Sequence, residues 1–237
     1  MNRKKVALIT GASSGLGLSL AQSFAFAEYE LILNYRRDDF GFENALLVRG
    51  DLHDSSVIKS LHNAVIGIRG DLHDSSVIKS LHDAVIEKGG VDILVNNAGI
   101  YINKDLEDLE DYEVKNVIYT NLIAPILLIK ALRSNIKENG LIININSLTT
   151  KQPSKGETIY GASKTGLSGF SRGLQLEDRN IKVLDIYLGA MRTPMRGNLD
   201  NLIDPNEVAR FITLLCLCKC EYSSMRINEI VIARNQY

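Results

Sequence analysis

Tyr160-Gly161-Ala162-Ser163-Lys164 carries a phenol and an ammonium group four residues apart. On a helix that spacing puts both on one face. A free tyrosine keeps its proton to about pH 10, too high for a general base near neutrality. A neighbouring ammonium favours the phenolate and lowers that value. The pair could then exchange a proton with an alcohol or carbonyl oxygen. A helix that merely contains Tyr and Lys is the plain alternative, and these five residues do not decide between the two. Ser147 follows an apolar run at 141–146 and could donate a hydrogen bond to a reacting oxygen. Asn121 falls in a helical pattern after Gly99; taken alone it reads as a structural hydrogen-bonder.

A second group of residues suits a phosphate-bearing ligand. Thr10-Gly11-Ala12-Ser13-Ser14-Gly15-Leu16-Gly17 follows a strand-like run and opens a helical one. Gly11 permits a tight turn, Gly15 lets backbone approach a pyrophosphate, and Gly17 allows close helix–strand packing. The helix N-terminus then faces negative charge. Glycines also make ordinary turns, but the strand–turn–helix setting favours nucleotide binding. Asn96-Asn97-Ala98-Gly99 ends another strand-like run, at the end of a strand where open α/β sheets bind ligands.

The elements that must position these groups are legible as alternation. Short Val/Ile/Leu-rich runs at 5–10, 30–35, 91–95, 141–145, 182–188 and 227–233 mostly lack polar alternation. That is the pattern of strands covered by helices on both faces. Helical patterns lie near 16–27, 108–134, 160–177 and 206–217, the last opened by Asp204-Pro205, suited to N-cap and first turn. The expectation is an α/β fold: one doubly wound domain over 1–237.

Together TGASSGLG, NNAG, Asn121, Ser147 and YGASK resemble the short-chain dehydrogenase/reductase family, in its order and approximate spacing across nearly the whole chain. The resemblance implies a Rossmann fold with parallel strand order 3-2-1-4-5-6-7. It implies a catalytic tetrad in which Tyr160 is the acid/base, Ser147 positions the substrate oxygen, Lys164 binds the nicotinamide ribose and tunes Tyr160, and Asn121 holds a water. Hydride would pass between the nicotinamide and a carbonyl or secondary alcohol carbon. Cofactor contacts would come from Gly11, Ser13, Ser14, Gly15, Leu16, Gly17, Asn97, Ala98, Gly99, Tyr160, Lys164, Gly189 and Thr193. An Asp with a following apolar residue, Asp71-Leu72, would meet adenine. The chain departs from the family pattern in two places. Leu188 stands where a proline precedes the glycine, which is expected to loosen that loop; and RINEIVIA lacks the Gly-Gly ending common in carrier-protein reductases.

Arg36 and Arg37 close the second strand, and guanidinium groups there could bind the 2′-phosphate of NADP. Solvated surface charges are the alternative, and NAD is then the less favoured cofactor. The segment 194–204 is expected to form a lid, with Arg192 and Arg196 either meeting an acidic substrate or lying on the surface.

The bulk numbers bound the rest. A net charge of −1 gives no reason to expect nucleic acid or an anionic membrane. The greasiest stretch, 122–132, is interrupted by Pro125 and Lys130 and is short for a bilayer. Cys216, Cys218 and Cys220 crowd together rather than forming a disulfide framework, which suits a reducing cytoplasm; with no ligand-like partners nearby they suggest no metal. The family implies a homodimer or homotetramer. Two other classes stay open: a dinucleotide-binding sensor or scaffold without turnover, and a racemase or dehydratase on the same fold.

One feature belongs to no family. Residues 49–68 return at 69–88, changed only at Asn63/Asp83, Gly67/Glu87 and Ile68/Lys88. Two copies make no solenoid, and an adhesive Arg-Gly-Asp role is not expected. All four histidines fall inside the duplication, where solvent-facing positions are expected. Parallel neighbours need a crossover of about a dozen residues. A third strand at 65–69 leaves room for one, whereas 45–49 does not. Yet 45–48 is the greasier run, and on that register Asp51 rather than Asp71 would meet adenine.

Overall fold

A computed structural model of the chain describes residues 3–36, 65–178, 181–195, 202–218 and 227–234. Seven parallel strands form one sheet: β1 Val6–Ile9, β2 Glu30–Tyr35, β3 Val65–Arg69, β4 Val91–Asn96, β5 Ile136–Ser147, β6 Lys182–Leu188 and β7 Glu229–Ile232. Their order is β3-β2-β1-β4-β5-β6-β7, as the family pattern implies. The chain reverses its walk along the sheet between β1 and β4, the switch point at which such folds open a crevice.

Helices α1 Gly15–Phe26 and α6 Pro205–Leu217 cover one face; α2 Ser75–Glu87, α3 Asp111–Ile118, α4 Ala124–Leu132 and α5 Thr158–Glu177 lie among the remaining connections. Strand alternation sorts the core. Ala7, Ile9, Leu31, Leu33 and Ile143 pack with Leu20, Phe24 and Ile212. Their strand neighbours Val6, Leu8, Ile32 and Ile142 pack with Leu81, Leu128 and Leu174 on the other face. Each such fully buried side chain contributes about 1.5–3 kcal/mol. Apolar residues on both faces explain why the strands read as unbroken runs.

The third strand is Val65–Arg69, paired in register with Leu31–Tyr35 of β2. The competing strand at 45–49, and Asp51, lie outside the described residues, as does the stretch between 36 and 65 that leaves room for the crossover. Val65-Ile66 is strand while the same dipeptide in the second copy, Val85-Ile86, closes α2. The differing residues account for this. Gly67-Ile68 extends against β2, where a Cβ on Gly67 would stand 3.2 Å from the Tyr35 ring. Glu87 instead is the last residue of a helix that Lys88 caps, and glutamate is a good helix former.

The long helical pattern at 108–134 resolves into α3, a π-turn over Tyr119–Ile123, and α4. Pro125 has no N–H for the Asn121 carbonyl four residues earlier, so a regular helix cannot pass there. The whole helical stretch Asp111–Asn135 is apolar and long enough to cross a membrane by composition alone. Here Val117, Leu128, Ile129 and Leu132 instead enter the core of the sheet.

Candidate active site

The C-terminal ends of the strands open onto a cleft of about 680 Å³. At one end the glycine-rich turn is built by close contact. Gly11 has φ +66°, and a Cβ there would lie 2.9 Å from the Ala98 Cα; at Gly17 a Cβ would lie 2.2 Å from the Gly11 carbonyl oxygen. Thr193 fills the space over Gly15, 3.0 Å from where a Cβ would stand. α2 and α6 are capped by Asp74 and Asp204, which accept Ser76 N–H and Asn206 N–H. Ser14, at the same position of α1, makes no side-chain cap. The first N–H groups of α1 therefore keep their capacity for an anion at the cleft.

Asn97 braces the loop rather than facing a ligand with its amide. Its Nδ2 donates to the carbonyls of Thr10 (2.9 Å) and Gly11 (3.2 Å). Thr10 Oγ1 in turn accepts Asn97 N–H and Ala98 N–H. Asn34, buried at the end of β2, ties in the third loop by donating to the carbonyls of Ile68 and Gly70. Beyond it Arg36 Nη1 meets Asp71 Oδ2 at 3.2 Å. Burial would raise the Asp71 carboxyl, but the His73 N–H and the Arg36 guanidinium outweigh it and hold it below the usual range. His73 corrects the expectation of solvent-facing histidines: it is half-buried, its Nε2 lies 2.8 Å from Thr120 Oγ1, and its ring lies against Tyr119.

At the other end Ser147, Tyr160 and Lys164 line the cleft, with Asn121 buried behind it. Lys164 Nζ is buried and donates to the Ile145 carbonyl at 2.8 Å. Gly99 stands between it and Asn121: a Cβ there would meet Asn121 Oδ1 at 3.3 Å and Lys164 Nζ at 3.7 Å. Desolvation lowers the Lys164 ammonium to about 8, with Asp185 opposing that fall. An unfolded lysine stays protonated to about 10.5, so between those values the unfolded chain binds more protons and stability rises with pH. Urea titrations at pH 8 and 10 should show that increment in the wild type and its loss in Lys164→Met; an equal increment in both would refute it.

Asn121 is 1% exposed and does not line the cleft. Its amide donates to the Ile100 carbonyl (2.9 Å) and Ser163 Oγ (3.1 Å), while Oδ1 accepts Ile100 N–H (2.8 Å). Its side-chain hydrogens are thus spent bracing the turn after Gly99. Ser147 caps the turn after β5, accepting Thr149 N–H and contacting Thr149 Oγ1 at 3.1 Å. Tyr160 meets Tyr101 edge-on, with ring centres 5.1 Å apart.

Of the residues expected from the sequence, Gly11, Ser13, Ser14, Gly15, Leu16, Arg36, Asp71, Leu72, Asn97, Ala98, Gly99, Ser147, Tyr160, Lys164, Gly189 and Thr193 line one continuous cleft. Gly17 and Asn121 stand behind it. Leu188 is buried as the last residue of β6 and pairs with Ser147 and Ile232. Pro194 and Met195 line the cleft, and Met191 bridges Ile203, closing the base of the segment expected as a lid. Arg192 is exposed and is not part of the cleft lining, and Arg37, Arg196 and Cys220 lie outside the described residues. Sequence reasoning missed Tyr101, Thr149 and Glu157; only the position of Glu157, three residues before Tyr160, was a usable signal.

A doubly wound sheet with a glycine turn at one end of its crevice and a Ser/Tyr/Lys cluster at the other defines a dinucleotide-dependent oxidoreductase. Residues 5–203 match the family model described as short chain dehydrogenase, and the chain belongs to that family. It is 31% identical over 221 residues to 3beta-hydroxysteroid dehydrogenase 1 of Eggerthella lenta, covering 86% of this chain and 77% of that one. It is 34% identical over 203 residues to a 3-oxoacyl-(acyl-carrier-protein) reductase of Chlamydia muridarum, covering 84% and 79%. A short chain dehydrogenase from Burkholderia cenocepacia in complex with NADP superposes with TM-score 0.82 at 27% identity, covering 98% of both chains. An alcohol dehydrogenase from Thermococcus sibiricus, complexed with 5-hydroxy-NADP, has the same fold (TM-score 0.84, 24% identity, 99% and 100% covered). The protein is an NAD(P)-dependent oxidoreductase acting on a carbonyl or alcohol.

Proposed function

We propose that the protein is an NADP-preferring reductase or dehydrogenase in which Tyr160 transfers the proton, in the cytoplasm and as a homo-oligomer. The observation that carries the reading is the cleft itself, which joins an uncapped helix N-terminus to Lys164 and Tyr160. The residues fit a dinucleotide: the glycine turn tolerates no Cβ, and Lys164 and the Asn146 amide are buried polar groups at the cleft, the latter without a partner among the described residues. When bound, the nicotinamide supplies or accepts the hydride.

Tyr160 exchanges the proton with the substrate oxygen, and Ser147 donates a hydrogen bond to that oxygen. Lys164 holds the ribose hydroxyls and, once its ammonium is retained, favours the Tyr160 phenolate. Asn121 acts through its main chain: its carbonyl is the one Pro125 cannot satisfy, and it holds a water between Lys164 and solvent. Arg36 binds the 2′-phosphate, with Asp71 and Leu72 at the adenine.

Arg36→Asp should raise the Michaelis constant for NADPH at least tenfold with little effect on NADH, the share of one charge-assisted contact; an unchanged NADPH constant would refute the assignment. Asp71→Ala should weaken cofactor binding and Asp51→Ala should not. The reverse pattern in a fluorescence titration would move the adenine contact into the first copy of the repeat.

A further inference from the structure

Glu157 is a carboxylate in the wall of the substrate end, 4% exposed, on the residue preceding α5. Nothing in the tetrad requires it. The N-terminus of a twenty-residue helix favours negative charge at that position, and an ionised carboxylate can only accept hydrogen bonds. Two hydroxyls serve it: Tyr101 Oη donates to Oε1 at 2.7 Å and Thr149 Oγ1 donates to Oε2 at 2.6 Å. Short distances of this kind mark charge-assisted bonds.

The direction of the Thr149 bond fixes the next one. A hydroxyl has one hydrogen, and Thr149 spends it on Glu157. Across the 3.1 Å contact with Ser147, Thr149 Oγ1 can therefore only accept. The Ser147 hydrogen points inward, toward Thr149, while its oxygen also takes the Thr149 N–H. A carbonyl substrate needs that same hydrogen, so binding it requires the Ser147–Thr149 bond to be given up.

We propose that Glu157 is a positioning residue that, through Thr149, sets the direction of the Ser147 hydroxyl and holds its hydrogen away from the substrate oxygen. Through Tyr101 the same carboxylate also fixes the ring that meets Tyr160 edge-on. The inference rests on the proposed oxidoreductase reading.

Glu157→Gln keeps the shape and reverses the chain. The amide oxygen keeps Tyr101, the amide nitrogen donates to Thr149, the Thr149 hydrogen turns to Ser147, and the Ser147 hydrogen is released to the substrate. Thr149→Val releases it directly, whereas Thr149→Ser keeps the latch. The test measures kcat and KM with NADPH and three carbonyl probes (benzaldehyde, cyclohexanone and ethyl acetoacetate), NADPH affinity by fluorescence, and Tm for each variant. Glu157→Gln and Thr149→Val should each lower the carbonyl KM roughly two- to tenfold, the worth of one neutral hydrogen bond. Thr149→Ser should match the wild type, the double variant should match Thr149→Val, and NADPH affinity should not move. A KM unchanged or raised, or effects that add in the double variant, would overturn the latch. NADPH binding with no turnover of any probe by the wild type would instead overturn the proposed function, and the latch with it.

Discussion

Tyr160→Phe is expected to lower kcat for carbonyl reduction by about 10²–10⁴-fold, the usual worth of a positioned general acid. The substitution removes one oxygen and leaves the ring, so the edge-on contact with Tyr101 survives. NADPH affinity should stay within about twofold, because the glycine turn, Arg36 and Lys164 are untouched. Lys164→Met should behave differently. It removes a buried donor to Ile145 together with the ribose contact proposed for Lys164, so both kcat and cofactor affinity should fall. Parallel steady-state kinetics and NADPH titrations separate the two. A Tyr160→Phe enzyme retaining more than about a tenth of wild-type kcat would place the acid elsewhere.

The second large effect is steric. Gly17→Ala adds one methyl to the interior of α1, where helix propensity alone favours alanine by about 1 kcal/mol. That gain loses to geometry: the new Cβ would stand 2.2 Å from the Gly11 carbonyl oxygen and 2.5 Å from Asn97 Nδ2. The backbone of the glycine turn must move, at a cost of about 1–3 kcal/mol for overpacking, and the Asn97 brace on Thr10 and Gly11 is disturbed with it. Urea denaturation should report the destabilisation, and NADPH affinity should fall tenfold or more. Gly173→Ala is the matched control. It lies in α5 with nothing within 4 Å of a Cβ, so the same change should stabilise by up to about 1 kcal/mol. Equal signs at the two positions would contradict the packing account.

Local signals carried the strand–helix alternation, the glycine turn and the Tyr160–Lys164 face, because each is a periodicity or spacing of neighbours in the chain. What was not legible depends on contacts between distant segments. Val65-Ile66 and Val85-Ile86 are one dipeptide in two conformations, decided by pairing with β2 and by Gly67-Ile68 against Glu87-Lys88. Asn97 and Asn121 are visible as polar residues in the right places, but their amides are spent on Thr10, Gly11, Ile100 and Ser163, partners that no spacing rule announces. The Tyr101–Glu157–Thr149–Ser147 chain joins a loop after β4 to the ends of β5 and α5. Only the fold brings those four together. His73 illustrates the same limit: its register in a duplicated unit says nothing of the Thr120 hydroxyl it meets.

The central claim is that the cleft couples NADPH oxidation to carbonyl reduction through Tyr160. The most direct measurement follows the loss of NADPH absorbance with a panel of aldehydes and ketones, using wild-type protein and Tyr160→Phe side by side, after NADPH binding to both has been established by titration. The account predicts turnover of at least one carbonyl by the wild type and its near-abolition in Tyr160→Phe at equal cofactor occupancy. Tight NADPH binding with no turnover by the wild type across the panel would contradict it and leave a dinucleotide-binding sensor in its place.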